Sequence, residues 1–352
     1  MPLWSRIKNS DFSIRLRSWE YWPFSLVYAP VFAYWIWLSI KTRHFLFFSA
    51  ANPGIDTGGL IGESKMDIYQ LIPEGWYPKT ILANSGDSLE VIAEQLQKKG
   101  IEYPFIAKPD VGERGLMVEK INNEDELNGY LSQFKIPIIL QEFIDYSDEI
   151  SVLHYRFPDS KKGNICSITL KEFLSITGDG KLTMEALILE KPRAKLQYES
   201  MRNRFPKRFH EVVPTGEKMI LSEIGNHSRG TMFLNGNHLI DEKLIETFDK
   251  ILDKIEGIYY ARYDLKAASF EDLRAGKNFS ILEINGVKSE PAHIYHPGYS
   301  LIQAYRDIFS NWSNIQKISV KNHELGVPYL RYSTAYEKLK SLRTYYKGFS
   351  EN

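Results

Sequence analysis

Short apolar runs alternate with amphipathic segments along most of this chain, and that alternation is typical of a mixed α/β fold. Apolar runs bounded by glycine, proline or asparagine predict strands, and longer segments with apolar residues every three or four positions predict helices. At 352 residues the chain is long enough for two or three subdomains that share a cleft. We therefore predict an α/β (α+β) fold with two lobes around a cleft.

The charge balance and the cysteine count exclude several classes of protein. Lysine plus arginine and aspartate plus glutamate both total 44, so the formal net charge is zero. No overall positive field would attract nucleic acid, and we expect no nucleic-acid partner. Cys166 is the single cysteine. The chain therefore has no internal disulfide framework, a reducing compartment is expected, and Cys166 is interpreted as a packing residue.

Residues 21–40 form an aromatic-rich run without a charged residue, about as long as a bilayer-spanning helix. Pro23 and Pro30 interrupt it, and its many tryptophans and tyrosines prefer the membrane interface. Basic residues flank both ends, so they indicate no orientation across a membrane. We interpret the run as a helical anchor lying in the interface. The alternatives are a helix packed on the body or on a second copy in a homodimer, and a true span.

The pattern of strands, turns and helices divides the chain into five regions. A membrane-associating segment (1–43) precedes a shortened region before the lobes (44–83), which has a predicted buried strand at 44–50. Two lobes are predicted at 84–145 and 146–320, and a polar stretch that ends near residue 218 is interpreted as a lid. A basic helical tail (321–352) ends the chain. The expected location is cytoplasmic, peripheral on the inner membrane face.

A strand in residues 104–108 delivers Lys108 immediately before a turn that contains Gly112 and Gly115. Such a lysine can neutralise nucleotide phosphates, while glycines allow backbone N–H groups to approach them closely. Taken alone the motif is weak, because a surface lysine beside a loop is common.

Glu142 and Glu149 stand seven residues apart where one predicted strand turns into the next. The first carboxylate can accept a hydrogen bond from an adenine amino group, and the second can accept from both ribose hydroxyls. The alternative interpretation is an acidic turn exposed to solvent.

Two later strands carry polar side chains at alternate positions. Arg262 and Asp264 share one face of the first strand, and Glu283 and Asn285 share one face of the second. Two carboxylates and an amide oxygen suit Mg²⁺ that is shared with phosphate, and the arginine can hold a transferred phosphoryl group. The alternative is a structural layer of salt bridges.

Taken together and in this order, these segments resemble the ATP-grasp superfamily over residues 64–298. The resemblance implies an ATP-grasp fold whose nucleotide, with two Mg²⁺ ions, lies between two α+β lobes. It implies these roles: Lys108 and Lys65 with the Gly112–Gly115 turn at the phosphates, Glu142 and Ile144 at the adenine, Glu149 at the ribose, Asp264, Glu283 and Asn285 on magnesium, and Arg262 on the transferred phosphate.

Within the superfamily, residues 177–183 resemble a loop of cyanophycin synthetase and of fused glutathione synthetases, which are carboxylate-amine ligases. Residues 285–297 are similar to uncharacterised bacterial proteins labelled carboxylate-amine or D-alanine ligases. D-alanine ligases usually follow the metal asparagine with a Thr-Asn-Pro-Gly turn, from which residues 286–290 depart. D-alanyl-D-alanine is therefore not the expected product.

The resemblance predicts an ADP-forming ligase that joins a small-molecule or lipid carboxylate to an amine through an acyl phosphate. A phosphotransferase that acts on a small molecule or lipid headgroup is the first alternative. A non-catalytic nucleotide-binding membrane adaptor is the second.

Residues 225–230 add Arg229, which could bind a substrate carboxylate or phosphate as part of the catalytic set. A Ser-His nucleophile in the same turn is disfavoured, since adjacent side chains rarely face one centre. His293 and His296 lack a third ligand at a usual spacing, so zinc is disfavoured.

Overall fold

Two antiparallel sheets form the frame of the protein. The computed structural model describes Ser13, Arg15, Leu16 and residues 18–112, 115–222, 225 and 230–347. The strands are β1 (Thr80–Ala83), β2 (Phe105–Pro109), β3 (Glu119–Ile121), β4 (Ile138–Glu142), β5 (Asp148–Tyr155), β6 (Asn164–Glu172), β7 (Ser175–Thr177), β8 (Lys218–Ile220), β9 (Met232–Asn235), β10 (Tyr260–Ala267) and β11 (Phe279–Asn285). The helices are α1 (Phe24–Thr42), α2 (Lys65–Leu71), α3 (Leu89–Lys99), α4 (Glu124–Ser132), α5 (Met184–Glu190), α6 (Pro192–Lys195), α7 (Tyr198–Arg204), α8 (Glu242–Leu252), α9 (Phe270–Arg274), α10 (Leu301–Glu324) and α11 (Tyr332–Lys347).

The first lobe is a four-stranded sheet in the order β1-β4-β2-β3, covered by α3 and α4. Helix α3 begins at Ser88, whose hydroxyl accepts the N–H of Val91, and ends at Gly100 in the left-handed conformation. Ile92 and Leu96 form its buried face, four residues apart. Strand β1 lies in the region 44–83 of the sequence-based division, and its pairing with β4 makes it part of this sheet.

The second lobe is a five-stranded sheet in the order β11-β10-β5-β6-β9. Helix α8 packs on one face through Leu244, Phe248 and Ile251, which recur at helical spacing and are buried. Burying each of these side chains contributes about 1.5–3 kcal/mol, which fixes the helix to the sheet. The opposite face carries the polar residues of β10 and β11.

A small subdomain occupies the stretch that the sequence predicts to be a lid. Strands β7 and β8 pair with each other, and helices α5 to α7 cover them. Leu174, Met184, Phe209 and Leu221 are buried at its centre. The polar stretch that ends near residue 218 is therefore part of a larger subdomain with a core of its own.

The predicted strand at 44–50 is wrong, because Phe47–Ala50 forms a 3-10 helix. Phe47, Phe48 and Ala50 are buried, but they contact α10 instead of a sheet. Ser319 donates to the carbonyl of Phe47, and Asn322 donates to the carbonyl of Ala50 at 2.8 Å. These side chains satisfy backbone groups that a neighbouring strand would otherwise pair.

Helix α1 confirms the predicted N-terminal aromatic-rich helical segment, with Pro30 inside it. Val27, Val31 and Leu38 are buried, and the helix packs against the long helix α10. By length and composition α1 is long enough and apolar enough to cross a bilayer, although 28% of its most apolar window is buried in the protein. The predicted fold class, a mixed α/β fold with two lobes and an N-terminal helix, is confirmed.

Candidate active site

The register of β10 with β11 brings four predicted site residues together. Arg262 lies opposite Asn285, and Asp264 lies opposite Glu283, as nearest neighbours of an antiparallel pair. The register then shifts, because Leu282 is an extra residue on β11. The four side chains line the same cleft, as their alternation along each strand predicts.

Asp264 is held in its ionised form by its neighbours. Burial raises the pKa of Asp264, but Arg262 and Lys171 together outweigh it and lower the pKa to about 2. Arg262 donates to the carboxylate from Nε at 3.2 Å and from a terminal nitrogen at 3.0 Å, and Asn285 donates at 3.1 Å. The hydroxyl of Ser151, on the neighbouring strand β5, also donates to it. Asp264 is therefore a fixed anion near neutral pH.

Glu283 faces a lysine from outside the sheet. Burial raises its pKa, but Lys65, Lys108 and Lys288 lower it overall. The Nζ of Lys65 lies 3.6 Å from the Glu283 carboxylate and donates to the carbonyl of Gly112 at 2.6 Å. Lys65 therefore joins the start of α2, the glycine turn and the paired strands at one point.

Lys108 extends from β2 of the first lobe toward the second. Its Nζ donates to the hydroxyl of Tyr69 at 2.9 Å and to Oε1 of Gln141 at 2.8 Å. The Tyr69 hydroxyl donates in turn to the carbonyl of Leu282 at 2.5 Å. Burial lowers the pKa of Lys108 to about 8, with Glu283 and Asp110 partly opposing the shift. A phosphate at this position would favour the charged amine and raise the pKa again.

The connection between the lobes carries the predicted adenine residues. Glu142 ends β4 and accepts the N–H of Lys79 at 3.2 Å, while the carbonyl of Ile144 accepts from Lys266 at 2.9 Å. Phe143 lies between them, with the Nζ atoms of Lys266 and Lys120 at 5.2 Å and 4.2 Å from its ring centroid. Apolar and hydrogen-bonding groups thus meet at this end of the cleft, as an adenine ring requires.

Glu149, the predicted ribose residue, pairs with Lys171 across β5 and β6 at 2.8 Å. Lys171 also lies 3.8 Å from Asp264, so one buried lysine connects the two carboxylates. A side-chain carbon at Gly225 would lie 2.0 Å from the Glu149 carboxylate, which places the loop backbone directly beside it. Lys171 is not among the predicted site residues, because a charged residue after an apolar run is typical of the start of a loop, whereas β6 continues to Glu172.

A cleft of about 790 Å³ lies between the two lobes. Every predicted site residue that the structure describes lines this same cleft. These residues are Lys65, Lys108, Gly112, Gly115, Glu142, Ile144, Glu149, Arg262, Asp264, Glu283 and Asn285. Arg229 lies outside the described residues. Cleft residues that the sequence analysis did not identify include Gln141, Ser151, Lys171, Lys266, Lys288 and Glu290. The volume is in the range of ligand sites, which are typically about 300–1,000 Å³.

The metal-binding potential of the cleft rests on few ligands. Within the described ranges, no group of three or more His, Cys, Asp or Glu side chains could hold a metal ion. The predicted set of two carboxylates and an amide fits Mg²⁺, which uses few protein ligands and completes its shell with phosphate and water. His293 contacts Ser167 at 2.8 Å and Asp307 at 3.3 Å, whereas His296 accepts the N–H of Asn235, so the two histidines have different partners.

The chain matches no family model and no curated protein, but several solved structures are similar to it. D-alanine–D-alanine ligase from Bacillus anthracis has a TM-score of 0.42 and 15% identity, covering 75% of this chain and 69% of the ligase. VanG D-Ala:D-Ser ligase from Enterococcus faecalis has a TM-score of 0.39 and 13% identity, covering 71% and 61%. The Bacillus anthracis ligase complexed with ATP has a TM-score of 0.37 and 14% identity, covering 74% and 65%.

Proposed function

We propose that the protein is an ATP-grasp ligase that activates a carboxylate as an acyl phosphate and joins it to an amine, with release of ADP and phosphate. The observation that carries this proposal is the convergence of Lys108 from one lobe with Arg262, Asp264, Glu283 and Asn285 from the other in one cleft. A lysine opposite two ionised carboxylates suits a nucleotide whose phosphates are shared between cations.

The residues of the cleft divide into binding roles. Glu142 and Ile144 would hold the adenine, and Lys65 and Lys108 would neutralise the phosphates. Asp264, Glu283 and Asn285 would hold Mg²⁺, which when bound neutralises charge on the phosphates. Arg262 would hold the transferred phosphoryl group and the oxyanion that forms later.

The proposed reaction has two steps. A carboxylate oxygen attacks the γ-phosphorus, the bond to the β,γ-bridging oxygen breaks, and ADP leaves. The amine nitrogen then attacks the acyl carbon, the carbon–oxygen bond to phosphate breaks, and the nitrogen loses a proton. The chain contributes mainly position and charge neutralisation, as is usual in phosphoryl transfer.

The test of this proposal is an ADP-release screen with pooled carboxylates and amines, with and without lipid extract. We expect ADP and free phosphate to form in equal amounts only when a carboxylate and an amine are both present. ADP without free phosphate would indicate a phosphotransferase and contradict the ligase. Failure of the full-length protein to bind Mg²⁺-ATP would contradict any nucleotide-dependent activity.

We also propose that α1 places the protein on a membrane surface. Leu26, Ile36 and Ile40 are 61%, 44% and 66% exposed and recur on the side of α1 that faces away from the body. The exposed aromatic residues Phe32 and Trp37 lie on the same helix. Several basic residues at its end and in the tail helix suit an anionic surface: Lys41, Arg43, Lys340, Arg343 and Lys347.

A triple variant tests membrane binding without removing the buried side of α1. Leu26→Ser, Ile36→Ser and Ile40→Ser together should lower co-sedimentation with vesicles of phosphatidylcholine and phosphatidylserine more than about tenfold, because three apolar side chains leave the interface. The control changes three exposed apolar residues elsewhere, Val91, Leu189 and Val212, to serine. Equal sedimentation of both variants would overturn the proposal. Concentration-dependent dimerisation that only the α1 variant loses would show that a second copy covers this face instead.

A further inference from the structure

The cleft extends beyond the predicted nucleotide site. Lys266, Asp264 and Arg262 line it at alternate positions of β10, in steps of about 7 Å. Lys266 contacts Ile144 at the adenine end, so Arg262 lies about 13 Å further along the strand. The space past Arg262 is therefore available to the substrates that react at the γ-phosphate.

The chain that precedes and begins α1 forms one wall of this far end. Trp19, Trp22, Phe24 and Tyr28 line the cleft there, together with Tyr295 from the segment after β11. The rings of Trp19 and Tyr295 lie 5.5 Å apart, and those of Phe24 and Tyr28 stack at 4.2 Å. The indole nitrogen of Trp19 donates to the carbonyl of Tyr299 at 2.8 Å, which fixes its position. Five aromatic side chains thus surround one end of a polar cleft.

One carboxylate lies within this aromatic wall. Tyr28 donates to one oxygen of Glu290, and Tyr295 donates to the other at 2.7 Å. The two hydroxyls also lie 3.2 Å from each other. Each carboxylate oxygen can accept a further hydrogen bond, so Glu290 is held in place and retains acceptor capacity.

Glu290 lies in the same cleft as Arg262, which we propose holds the transferred phosphoryl group. A carboxylate and a guanidinium within this cleft attract each other. The other carboxylate of this wall, Glu20, pairs with Arg193 of the small subdomain at 2.9 Å and 3.0 Å. Glu290 is therefore the carboxylate best placed for a substrate.

We propose that the far end of the cleft binds the amine substrate as an ammonium group attached to an apolar chain or ring. Glu290 accepts from the ammonium, the faces of Trp19, Tyr28 and Tyr295 attract its charge, and the aromatic wall contacts its apolar part. The ammonium loses one proton to become the free amine that attacks the acyl carbon, and the nitrogen loses a second proton after the attack. This assignment rests on the proposed ligase function and names the class of its amine. A substrate carboxylate would be repelled by Glu290 at this position.

The test uses n-octylamine as the probe and n-octanoate as its matched anion, with full-length protein saturated with Mg²⁺ and AMP-PNP. Calorimetry and tryptophan fluorescence should show octylamine binding and at least about tenfold weaker octanoate binding. Glu290→Gln should weaken octylamine binding about 10- to 100-fold, because it removes a charged hydrogen bond, and should leave AMP-PNP binding unchanged. The control is Glu337→Gln on the exposed face of α11.

The outcomes separate this assignment from the proposed function. Glu290→Gln that binds AMP-PNP normally and binds octylamine as tightly as the wild type would overturn the amine site alone. Tyr295→Phe provides a second, milder variant, and an octylamine affinity lowered less than in Glu290→Gln would support the assignment. If the wild type binds octylamine but not AMP-PNP, the ligase proposal fails, and the far end of the cleft is an amine-binding site but not the substrate site of a ligase.

Discussion

Asp264→Asn and Glu283→Gln should each lower turnover by at least about 10²- to 10³-fold while lowering ATP affinity much less. The two carboxylates face each other across β10 and β11, and the pKa of each is held below its ordinary value. Either amide keeps the shape of the side chain and removes one negative charge. Each variant should therefore bind Mg²⁺ more weakly and stabilise the charge of the transferred phosphate less. The adenine contacts lie elsewhere in the cleft and should be unaffected.

The expected effect of these variants on Mg²⁺-dependent ATP binding can be measured before the substrates are known. ATP binding to the wild type, followed by calorimetry, should tighten when Mg²⁺ is added, and both variants should lose most of that tightening. Asp253→Asn is the matched control, because Asp253 pairs with Arg156 on the surface, away from the cleft. If Mg²⁺ tightens ATP binding in either variant as much as in the wild type, the substituted residue is not a Mg²⁺ ligand.

The polar site residues on β10 and β11 could be predicted from the sequence, because their positions follow from local periodicity. Arg262 with Asp264, and Glu283 with Asn285, follow the two-residue repeat of a strand, and the structure places both pairs on the cleft. The partners of Lys108 were not readable. Tyr69 reaches its amine through the packing of α2, and Gln141 through the pairing of β4 with β2, two long-range contacts that no local pattern encodes.

Short buried segments were the least predictable part of the fold. The apolar run at 44–50 has no periodicity that separates strand from helix, and its 3-10 conformation follows from side chains of α10 that bind its carbonyls. Lys171 was missed for a related reason. A charged residue at a predicted strand end reads as the start of a loop, whereas β6 continues to Glu172.

The N-terminal segment combines a predictable local structure with an unpredictable position. Its composition predicts a helix for an apolar environment, and α1 is such a helix. Its contact with the cleft joins Tyr28 to Glu290, which are separated by 262 positions in the sequence. Local pattern carries no information on a contact of that range. The proposed membrane surface and the proposed amine site therefore lie on one helix, which would let an amphiphilic amine reach the cleft from the membrane.

Lys171→Gln should destabilise the protein by about 3–5 kcal/mol, since it leaves Glu149 buried without its cation. Burial lowers the pKa of Lys171, but Glu149 and Asp264 raise it overall, so the lysine is charged in the folded protein. Urea unfolding followed by tryptophan fluorescence measures the loss. Lys162→Gln is the control, because its pair with Glu242 is on the surface and should contribute no measurable stability.

The double variant Lys171→Gln with Glu149→Gln separates the structural role of Lys171 from a role in nucleotide binding. Two amides in place of the ion pair leave no uncompensated charge at this position, so most of the lost stability should return. Mg²⁺-ATP binding should stay weakened by about tenfold or more, because a cation beside Asp264 is still missing. Recovery of both stability and ATP affinity would show that Lys171 only neutralises Glu149 and does not contact the nucleotide. Because Glu149 is itself the predicted ribose residue, the single variant Glu149→Gln is the reference for ATP binding. An ATP affinity lower in the double variant than in Glu149→Gln would place Lys171 beside the bound phosphates, as its position between the two carboxylates on the cleft wall implies.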